Sequence, residues 1–351
     1  MAVGATAHKN TAMNPYLLAR SLLFRMDAER SHELTIGLLS RYPASASLLA
    51  GRLVEDPVRL MGLDFRNRIG LAAGLDKNGE CIEAVDRMGF GFIEVGTVTP
   101  RPQPGNPRPR MFRLPAEQAL INRLGFNNQG VDALVARASR ARRRAVLGIN
   151  IGKNADTPLD LAEYDYLACL HKVYPVADYI VVNISSPNTV GLRQLQEAER
   201  FEQLLMKLGE ARETLAQRHG KRRPLLIKIA PDMEDAQLLD IANAVRRHGI
   251  DGLIATNTTV SRSGVERDPQ AQEKGGLSGR PLRERANQVM QQLRAAVGAD
   301  FPLIGVGGIG CAEDAVERCG AGADLLQIYS GLIYVGPALV AECAKAVANS
   351  R

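Results

Sequence analysis

Amide, hydroxyl and ammonium side chains recur in this 351-residue chain at one kind of place, the end of a short apolar run. The first run ends in Gly74-Leu75-Asp76-Lys77-Asn78 and the second in Gly96-Thr97. Later ones end in Asn150 and Lys153, in Asn183, Ser185, Ser186 and Asn188, in Lys228, and in Thr256, Asn257 and Thr258. The last two end in Gly307-Gly308 and Tyr329-Ser330-Gly331. Asparagine offers both donor and acceptor, so several on one surface suit a flat ligand rich in amide groups. Lys77 and Lys228 can neutralise an anion, or negative charge developing on a cofactor ring. The two glycine-rich endings suit a phosphate held by main-chain N–H groups. The five histidines (His8, His32, His171, His219, His248) lie at none of these endings, which argues against a His-based triad or a zinc hydrolase. Each feature alone has a plainer reading. Glycine is the default turn residue, Ser186 ahead of Pro187 reads equally as a turn hydroxyl, and a strand-end lysine can snorkel to solvent.

The elements that must carry these groups follow from the runs themselves. Eight are rich in Val, Ile and Leu: Ile69–Gly74, Phe92–Thr99, Leu147–Lys153, Tyr179–Pro187, Leu225–Pro231, Gly252–Thr258, Leu303–Ile309 and Leu325–Gly331. Continuous apolar runs of this length suit parallel strands buried on both faces. Helical periodicity fills most of the intervals, as in Glu80–Met88, Val131–Arg144, Glu197–Arg218, Asp235–Arg247, Arg283–Val297 and Ala312–Cys319. The pattern predicts an α/β fold, a (β/α)8 TIM barrel, whose strand ends converge on one catalytic rim. A doubly wound sheet is the competitor, but it rarely needs eight such units. A dinucleotide reading of Gly305-Val306-Gly307-Gly308-Ile309-Gly310 is weak, because the neighbourhood about 20 residues beyond the run, where an acid is required, is Tyr329-Ser330.

Composition bounds the rest. The chain is 45% apolar and 23% charged, and 44 basic against 38 acidic residues give +6, ordinary for a globular protein and selecting no partner class. Five cysteines without a C-x-x-C pair predict reduced thiols and no zinc site. No run reaches the ~18 apolar residues of a spanning helix. Residues 1–13 are expected to form a disordered leader, 14–55 two amphipathic helices, and 56–351 the barrel. The helices put Tyr16, Leu17, Leu18, Leu22, Leu23 and Met26, and then Leu34, Ile36, Leu38, Leu39, Leu48 and Leu49, on apolar faces with interspersed arginines, a pattern suited to a membrane interface. The basic clusters Arg137–Arg144, Arg218–Arg223 and Arg246-Arg247 fall at helix C-termini, where cations complement the dipole. No nucleic-acid partner is expected.

Several stretches resemble the dihydroorotate dehydrogenases, in order and at similar spacing. They are Leu71-Ala72-Ala73-Gly74-Leu75-Asp76-Lys77-Asn78-Gly79, Gly96-Thr97-Val98-Thr99-Pro100, Ile121-Asn122-Arg123-Leu124-Gly125-Phe126-Asn127-Asn128 and Asn183-Ile184-Ser185-Ser186-Pro187-Asn188-Thr189. Lys228-Ile229-Ala230-Pro231, Gly275-Gly276-Leu277-Ser278-Gly279 and the two glycine endings continue the match. Met26-Asp27-Ala28-Glu29-Arg30-Ser31-His32 is similar to the membrane-associated, quinone-reducing class.

That resemblance implies oxidation of dihydroorotate to orotate in pyrimidine synthesis, with one FMN per chain. It assigns the cofactor to Ala73, Gly74, Leu75, Asp76, Lys77, Thr97, Asn150, Asn183, Lys228, Thr256, Gly279, Gly308, Tyr329 and Ser330. It assigns the substrate to Lys77, Asn122, Arg123, Leu124, Gly125, Phe126, Asn183, Asn188, Asn257 and Thr258. Ser186 takes the place of the catalytic base, with Thr189 and a water as candidate proton relay; the soluble classes look to carry Cys there. His32, Arg113 and Tyr329 match the quinone site, for ubiquinone or menaquinone, and Asn188–Gln194 the substrate lid. A monomer on the cytoplasmic face of a bacterial inner membrane is expected. Arg68 stands where the family commonly has Pro, and Val190 where the lid often does. The alternatives are a soluble-acceptor enzyme using fumarate or NAD, another FMN barrel oxidoreductase, a flavin-containing RNA-modifying barrel or nucleic-acid binder, and a non-redox phosphate-binding barrel.

Overall fold

A computed structural model describes residues 15–189 and 191–351. The expected leader at 1–13 and the departure at Val190 lie outside the described residues. Three helices open the chain, α1 (Pro15–Leu23), α2 (Ala28–Arg41) and α3 (Ala46–Leu49). Asp27 starts α2 by accepting the Glu29 and Arg30 N–H groups, which satisfies two otherwise orphaned donors. A hairpin follows, β1 (Val58–Leu60) and β2 (Leu63–Phe65).

All eight expected runs become barrel strands. They are β3 (Ile69–Leu71) and β4 (Phe92–Val98), then, after β5 (Met111–Leu114) and β6 (Ala119–Asn122), β7 (Val146–Ile151), β8 (Tyr179–Asn183), β9 (Leu225–Ile229) and β10 (Gly252–Ala255). The set ends, past β11 (Gly276–Gly279), with β12 (Leu303–Val306) and β13 (Leu325–Ile328). They close in the parallel order β10-β12-β13-β3-β4-β7-β8-β9. Strands β5, β6 and β11 form a separate antiparallel sheet that the run pattern does not predict. The outer helices are α4 (Ile82–Arg87), α5 (Val131–Ala138), α6 (Ala162–Val173), α7 (Ala198–His219), α8 (Asp235–Arg247), α9 (Arg283–Val297), α10 (Ala312–Gly320), α11 (Ser330–Val335) and α12 (Ala338–Asn349).

Two packed regions hold the site in place. Between strands and helices lies a continuous core of buried Val, Ile and Leu. Inside the barrel, Phe65 of the hairpin meets Phe92 edge-on at 5.5 Å, and Phe92 meets Tyr179 at 6.4 Å. Phe92, Val146, Tyr179 and Leu325 are first residues of their strands, so the hairpin plugs the N-terminal end with apolar bulk. The five cysteines are free thiols. No group of acidic, His and Cys side chains among the described residues could hold a metal ion.

The N-terminal helices are tied to the barrel by polar anchors. Tyr16 donates to the Ile333 carbonyl at 2.6 Å and Arg20 to that of Tyr334 at 2.5 Å. The buried Arg110 guanidinium pairs with Glu29 of α2, at 2.7 and 3.0 Å to Oε1 and 3.1 Å to Oε2. Such a fork is geometrically selective, and it fixes α2 over the rim. Arg68, at the opposite end, pairs with Asp56 at 3.1 Å.

Candidate active site

The strand ends surround a cleft of about 980 Å³ free of protein atoms. Its lining includes Ala73, Gly74, Lys77, Thr97, Asn122, Leu124, Gly125, Phe126, Asn183, Ser186, Asn188, Lys228, Thr256, Asn257, Thr258, Gly279, Gly308, Tyr329 and Ser330. Nineteen expected residues from seven barrel strand ends and the inserted sheet thus share one wall. Four stand back from it. Leu75 faces the apolar cavity described below. Asp76 turns away, its carboxylate accepting the Glu80 and Cys81 N–H groups at 2.8 Å each, so it braces the turn that leads into α4. Arg123 pairs with Glu273 at 2.6 Å and lies over the Phe112 ring. Asn150 is fully buried one layer below, reached through Thr97, which donates to its Oδ1 at 2.6 Å.

One end of the cleft is built for a planar polar group and the other for an anion. At the first, Asn183 donates to Thr97 Oγ1 at 2.9 Å, and Asn257 donates to Ser185 Oγ at 3.0 Å. Asn188 donates to Asn122 Oδ1 at 3.2 Å, tying the loop after β8 to β6. Ser186 is buried, and its Oγ accepts the Asn188 N–H at 3.3 Å. Phe126 is held at φ 54°, its ring so close to Gly152 that a Cβ there would lie 3.1 Å from it. At the other end Gly279, Gly307, Gly308, Ser330 and Gly331 present no side chain longer than serine's, leaving main-chain N–H groups accessible to an anion.

The wall is not self-satisfied. Buried oxygens of Thr189 (Oγ1), Thr256 (Oγ1), Thr258 (Oγ1) and Gln327 (Oε1) have no protein partner among the described residues. Burial draws the Lys228 ammonium below its usual range, against the pull of Glu94 3.9 Å away. Burial likewise brings Lys77 down to about 8; its Nζ donates to the Gly74 carbonyl at 2.8 Å. Unpaired buried polar atoms are costly in a folded protein, and Thr256, Thr258 and Gln327 share the lining of one cleft. A flat, hydrogen-bonding ring system with an anionic tail fits those donors and acceptors, so the cleft meets the requirements of a flavin nucleotide.

A second cavity, of about 890 Å³, opens between α1, α2 and the barrel. Its lining is largely apolar and includes Leu23, Phe24, Ile36, Leu39, Met111 and Leu332. His32, Arg113 and Tyr329 all lie on it. Arg113 donates to the Met26 carbonyl at 2.8 Å and sits 4.7 Å from the Phe24 ring centroid. Burial, helped by the Lys77 charge, draws His32 down to about 3, so its imidazole is neutral. Tyr329 lines both cavities and is their shared wall.

The family profile described as dihydroorotate dehydrogenase matches residues 57–350. The chain belongs to that family. Among its relatives, the dihydroorotate dehydrogenase (quinone) of Alkalilimnicola ehrlichii is 60% identical over 336 residues, covering 95% of this chain and 99% of the relative. That of Delftia acidovorans is 57% identical, covering 96% and 99%. The solved structure of the enzyme from Eimeria tenella in complex with ferulenol superposes with a TM-score of 0.83 at 38% identity, covering 92% of this chain and 90% of that one.

Within this dihydroorotate dehydrogenase fold, the strand-end rule misses residues that the geometry brings in. Ser278 lies on the cleft and shares a 2.9 Å hydrogen bond with Ser330, but it belongs to the unpredicted sheet. Gln327 and Glu94 sit inside apolar runs rather than at their ends. The available signal was the charge itself, Glu94 interrupting the run Phe92–Thr99.

Proposed function

We propose that this chain oxidises (S)-dihydroorotate to orotate at the rim cleft, with FMN as resident cofactor and a membrane quinone as final electron acceptor. The observation that carries this reading is Tyr329, one ring separating a polar cleft from an apolar cavity. A water-soluble anion and a lipid-soluble oxidant can each approach the same rim without meeting. Bound FMN supplies the hydride acceptor for the first and the electron donor for the second.

The protein's part is to hold, orient and move a proton. Lys228, Thr256, Thr97 and Asn183 take the ring end, and Gly279, Gly308 and Ser330 the phosphate, with Ala73, Gly74 and Tyr329 closing the sides. Asp76 and Asn150 act from behind, one by bracing the turn before α4 and the other by fixing Thr97. Lys77 faces the carboxylate of dihydroorotate, while Asn122, Asn188, Asn257 and Thr258 match its amide edges against Leu124, Gly125 and Phe126. Arg123 steadies that segment through Glu273. Ser186 takes the C5 proton as hydride leaves C6. A hydroxyl is a weak base unless its own proton moves on, and the unpartnered Thr189 Oγ1 with a water supplies that path.

The same reading gives residues 14–55 the quinone entrance, with His32 and Arg113 at its polar points, and 56–351 the reaction chamber. Leu17, Leu18, Leu22, Leu34, Leu38 and Leu48 are exposed on α1–α3, a row suited to lying in a bilayer surface. No helix among the described residues is long and apolar enough to cross a membrane. A peripheral monomer on the cytoplasmic face of a bacterial inner membrane is the arrangement proposed. The decisive experiment is anaerobic addition of dihydroorotate to the purified protein. It bleaches a bound flavin, and a decyl-chain quinone then restores the colour; a colourless protein, or a yellow one that dihydroorotate leaves unchanged, overturns the reading.

A further inference from the structure

Below the cleft floor the barrel interior holds a carboxylate. Glu94 is completely enclosed, on β4 between the apolar plug residue Phe92 and the rim residues Gly96 and Thr97. Its Oε1 accepts from Asn150 Nδ2 at 2.8 Å. Its Oε2 accepts from Gln327 Nε2 at 2.5 Å and from the Tyr179 hydroxyl at 3.4 Å. Lys228 Nζ lies 3.9 Å from Oε1, and Glu94 is the ionic partner of that ammonium among the described residues.

The contacts continue upward in one direction. Asn150, having given its Nδ2 to Glu94, has its Oδ1 free to accept from Thr97 at 2.6 Å. Thr97, having donated, accepts from Asn183 Nδ2 at 2.9 Å. Asn183 then presents Oδ1 to Ser185 Oγ at 3.2 Å and to Asn257 Nδ2 at 3.3 Å. An asparagine amide can face either way, but both oxygens of Glu94 are engaged as acceptors. The orientation of Asn150 and, through Thr97, of Asn183 is thereby dictated from below. The same logic turns Gln327 Nε2 downward and leaves its Oε1 without a partner at the cleft wall.

We propose that Glu94 is a positioning residue for the flavin, fixing through Asn150 and Thr97 which edge of Asn183 meets the ring and compensating the Lys228 ammonium beneath it. This deepens the proposed function and rests on it. A barrel packed for stability alone would place an aliphatic side chain in this layer, as Phe92 and Tyr179 supply apolar bulk one layer down. An enclosed charge with its full set of donors serves orientation, because each donor it engages loses the freedom to flip.

Glu94→Gln tests the proposal in the holoprotein, read by the FMN dissociation constant and the flavin midpoint potential rather than by turnover. Gln offers one acceptor and one donor group where the carboxylate offered two acceptors, so Gln327 must reverse and Lys228 loses its counter-charge. The expected results are FMN binding at least tenfold weaker and a midpoint potential raised by about 30 mV. That shift corresponds to a tenfold gain for the reduced, more negative flavin in a two-electron couple. Glu94→Gln combined with Asn150→Asp returns a carboxylate one position along the chain of contacts. It accepts from the amide introduced at position 94 and from Thr97, restoring the polarity above. Both readouts should come back to within about threefold of the wild type. A single variant with wild-type affinity and potential overturns the proposal, and so does a double variant no better than the single one. Should Glu94→Gln not fold, the comparison runs between the double variant and Asn150→Asp alone, where two adjacent carboxylates must repel. Equal FMN affinity and potential in those two overturns it as well. A wild-type protein that holds no flavin overturns the functional reading instead, so the two failures are distinguishable.

Discussion

The two ends of this barrel both concentrate polar side chains and put them to opposite use. At the N-terminal end, the aspartates just before β8, β10 and β13 act as clips. Asp178 accepts the Leu147 N–H at 2.9 Å and Arg143 at 2.7 Å. Asp251 accepts the Leu225 N–H at 2.8 Å, Arg212 at 2.9 Å and Arg222 at 2.5 Å. Asp324 accepts the Leu303 N–H at 2.8 Å and Arg294 at 2.7 Å. Each clip ties the start of one strand to its neighbour and pairs the charge with an arginine from a helix or the link after it. At the C-terminal end, the Thr256 and Thr258 hydroxyl oxygens and the Gln327 amide oxygen have no partner among the described residues, and Lys228 has a carboxylate only at 3.9 Å. The clip carboxylates are satisfied and hold the barrel shut, while the unpartnered rim oxygens line a cleft where a ligand can supply their partners. The basic clusters that give the chain its net charge belong to the first end, which is why +6 carries no message about a partner.

The widest separation between the ends should come from Ser186. Ser186→Ala removes one buried hydroxyl that the protein itself uses only to accept the Asn188 N–H. The expected result is flavin reduction by dihydroorotate slowed about 10²- to 10⁴-fold, the range for loss of a positioned general base, with FMN and orotate binding retained. Anaerobic stopped-flow measures it, and a wild-type rate would remove Ser186 from the base role. Thermal stability should hardly move.

Asp251→Ala is the mirror experiment. It strips an acceptor from the Leu225 N–H and from Arg212, whose side chain is only 5% exposed. Arg212 keeps the Gly249 carbonyl at 2.9 Å and Glu213 at 3.0 Å, which limits the damage. A loss of about 2–4 kcal/mol in unfolding free energy is expected, read from the urea midpoint. Turnover per folded molecule should stay unchanged. A large loss of kcat with intact stability would mean that the two ends are not separable.

The contrast also explains what the sequence makes legible. The eight strands are visible because burial on both faces leaves an unbroken apolar run, as in Leu225–Ile229, and the rim residues are visible because each run must stop somewhere. The inserted sheet is not. Its strands are four residues each, and Met111–Leu114 has partly exposed central residues, so neither a continuous run nor a regular alternation survives. Helix α6 is masked for another reason. Asp165, buried to accept the Asn154 N–H and the Thr157 hydroxyl, interrupts its apolar stripe, and Tyr164 points to solvent. Within the site, spacing along the chain finds strand ends but not depth. Thr97 and Asn150 look equivalent by that rule, yet the first lines the cleft and the second lies beneath it. Asp76, a strand-end carboxylate in sequence, is the brace of the turn before α4 in three dimensions.

A smaller effect separates the ends by pH. Burial brings Lys77 down to about 8, whereas an exposed lysine titrates near 10.4. Below that value the ammonium is present to meet an anion; as pH rises through it the charge is lost. Orotate affinity, measured on the oxidised protein by flavin spectral shift, should be flat from pH 6 to about 7.5. Above about 8 it should weaken toward tenfold per unit, about 1.4 kcal/mol. Stability has its own sign. The folded protein holds fewer protons than the unfolded chain between about 8 and the ordinary lysine range, so this residue's contribution to folding improves as pH climbs through that window. His32, drawn to about 3, stays neutral throughout, and the quinone KM should show no transition near pH 6.5. A step there would require a charged imidazole on the apolar cavity.

The smallest effect sets the floor of the comparison. Arg59 and Asp64 face each other across the hairpin that plugs the N-terminal end, 3.9 Å apart, with side chains 75% and 79% exposed. They match the clip pairs in residue type and lie at the same end of the barrel, but water already solvates both. Such pairs contribute about 0–1 kcal/mol, so Arg59→Ala should shift the unfolding free energy by less than about 0.5 kcal/mol. Raising the salt to 0.5 M should erase the remainder, because the screening length falls below about 5 Å. If Arg59→Ala instead matched Asp251→Ala, mere position at the closed end would explain the clips. If it does not, their strength comes from enclosure: an arginine lodged among helices and a strand N–H that no water can reach.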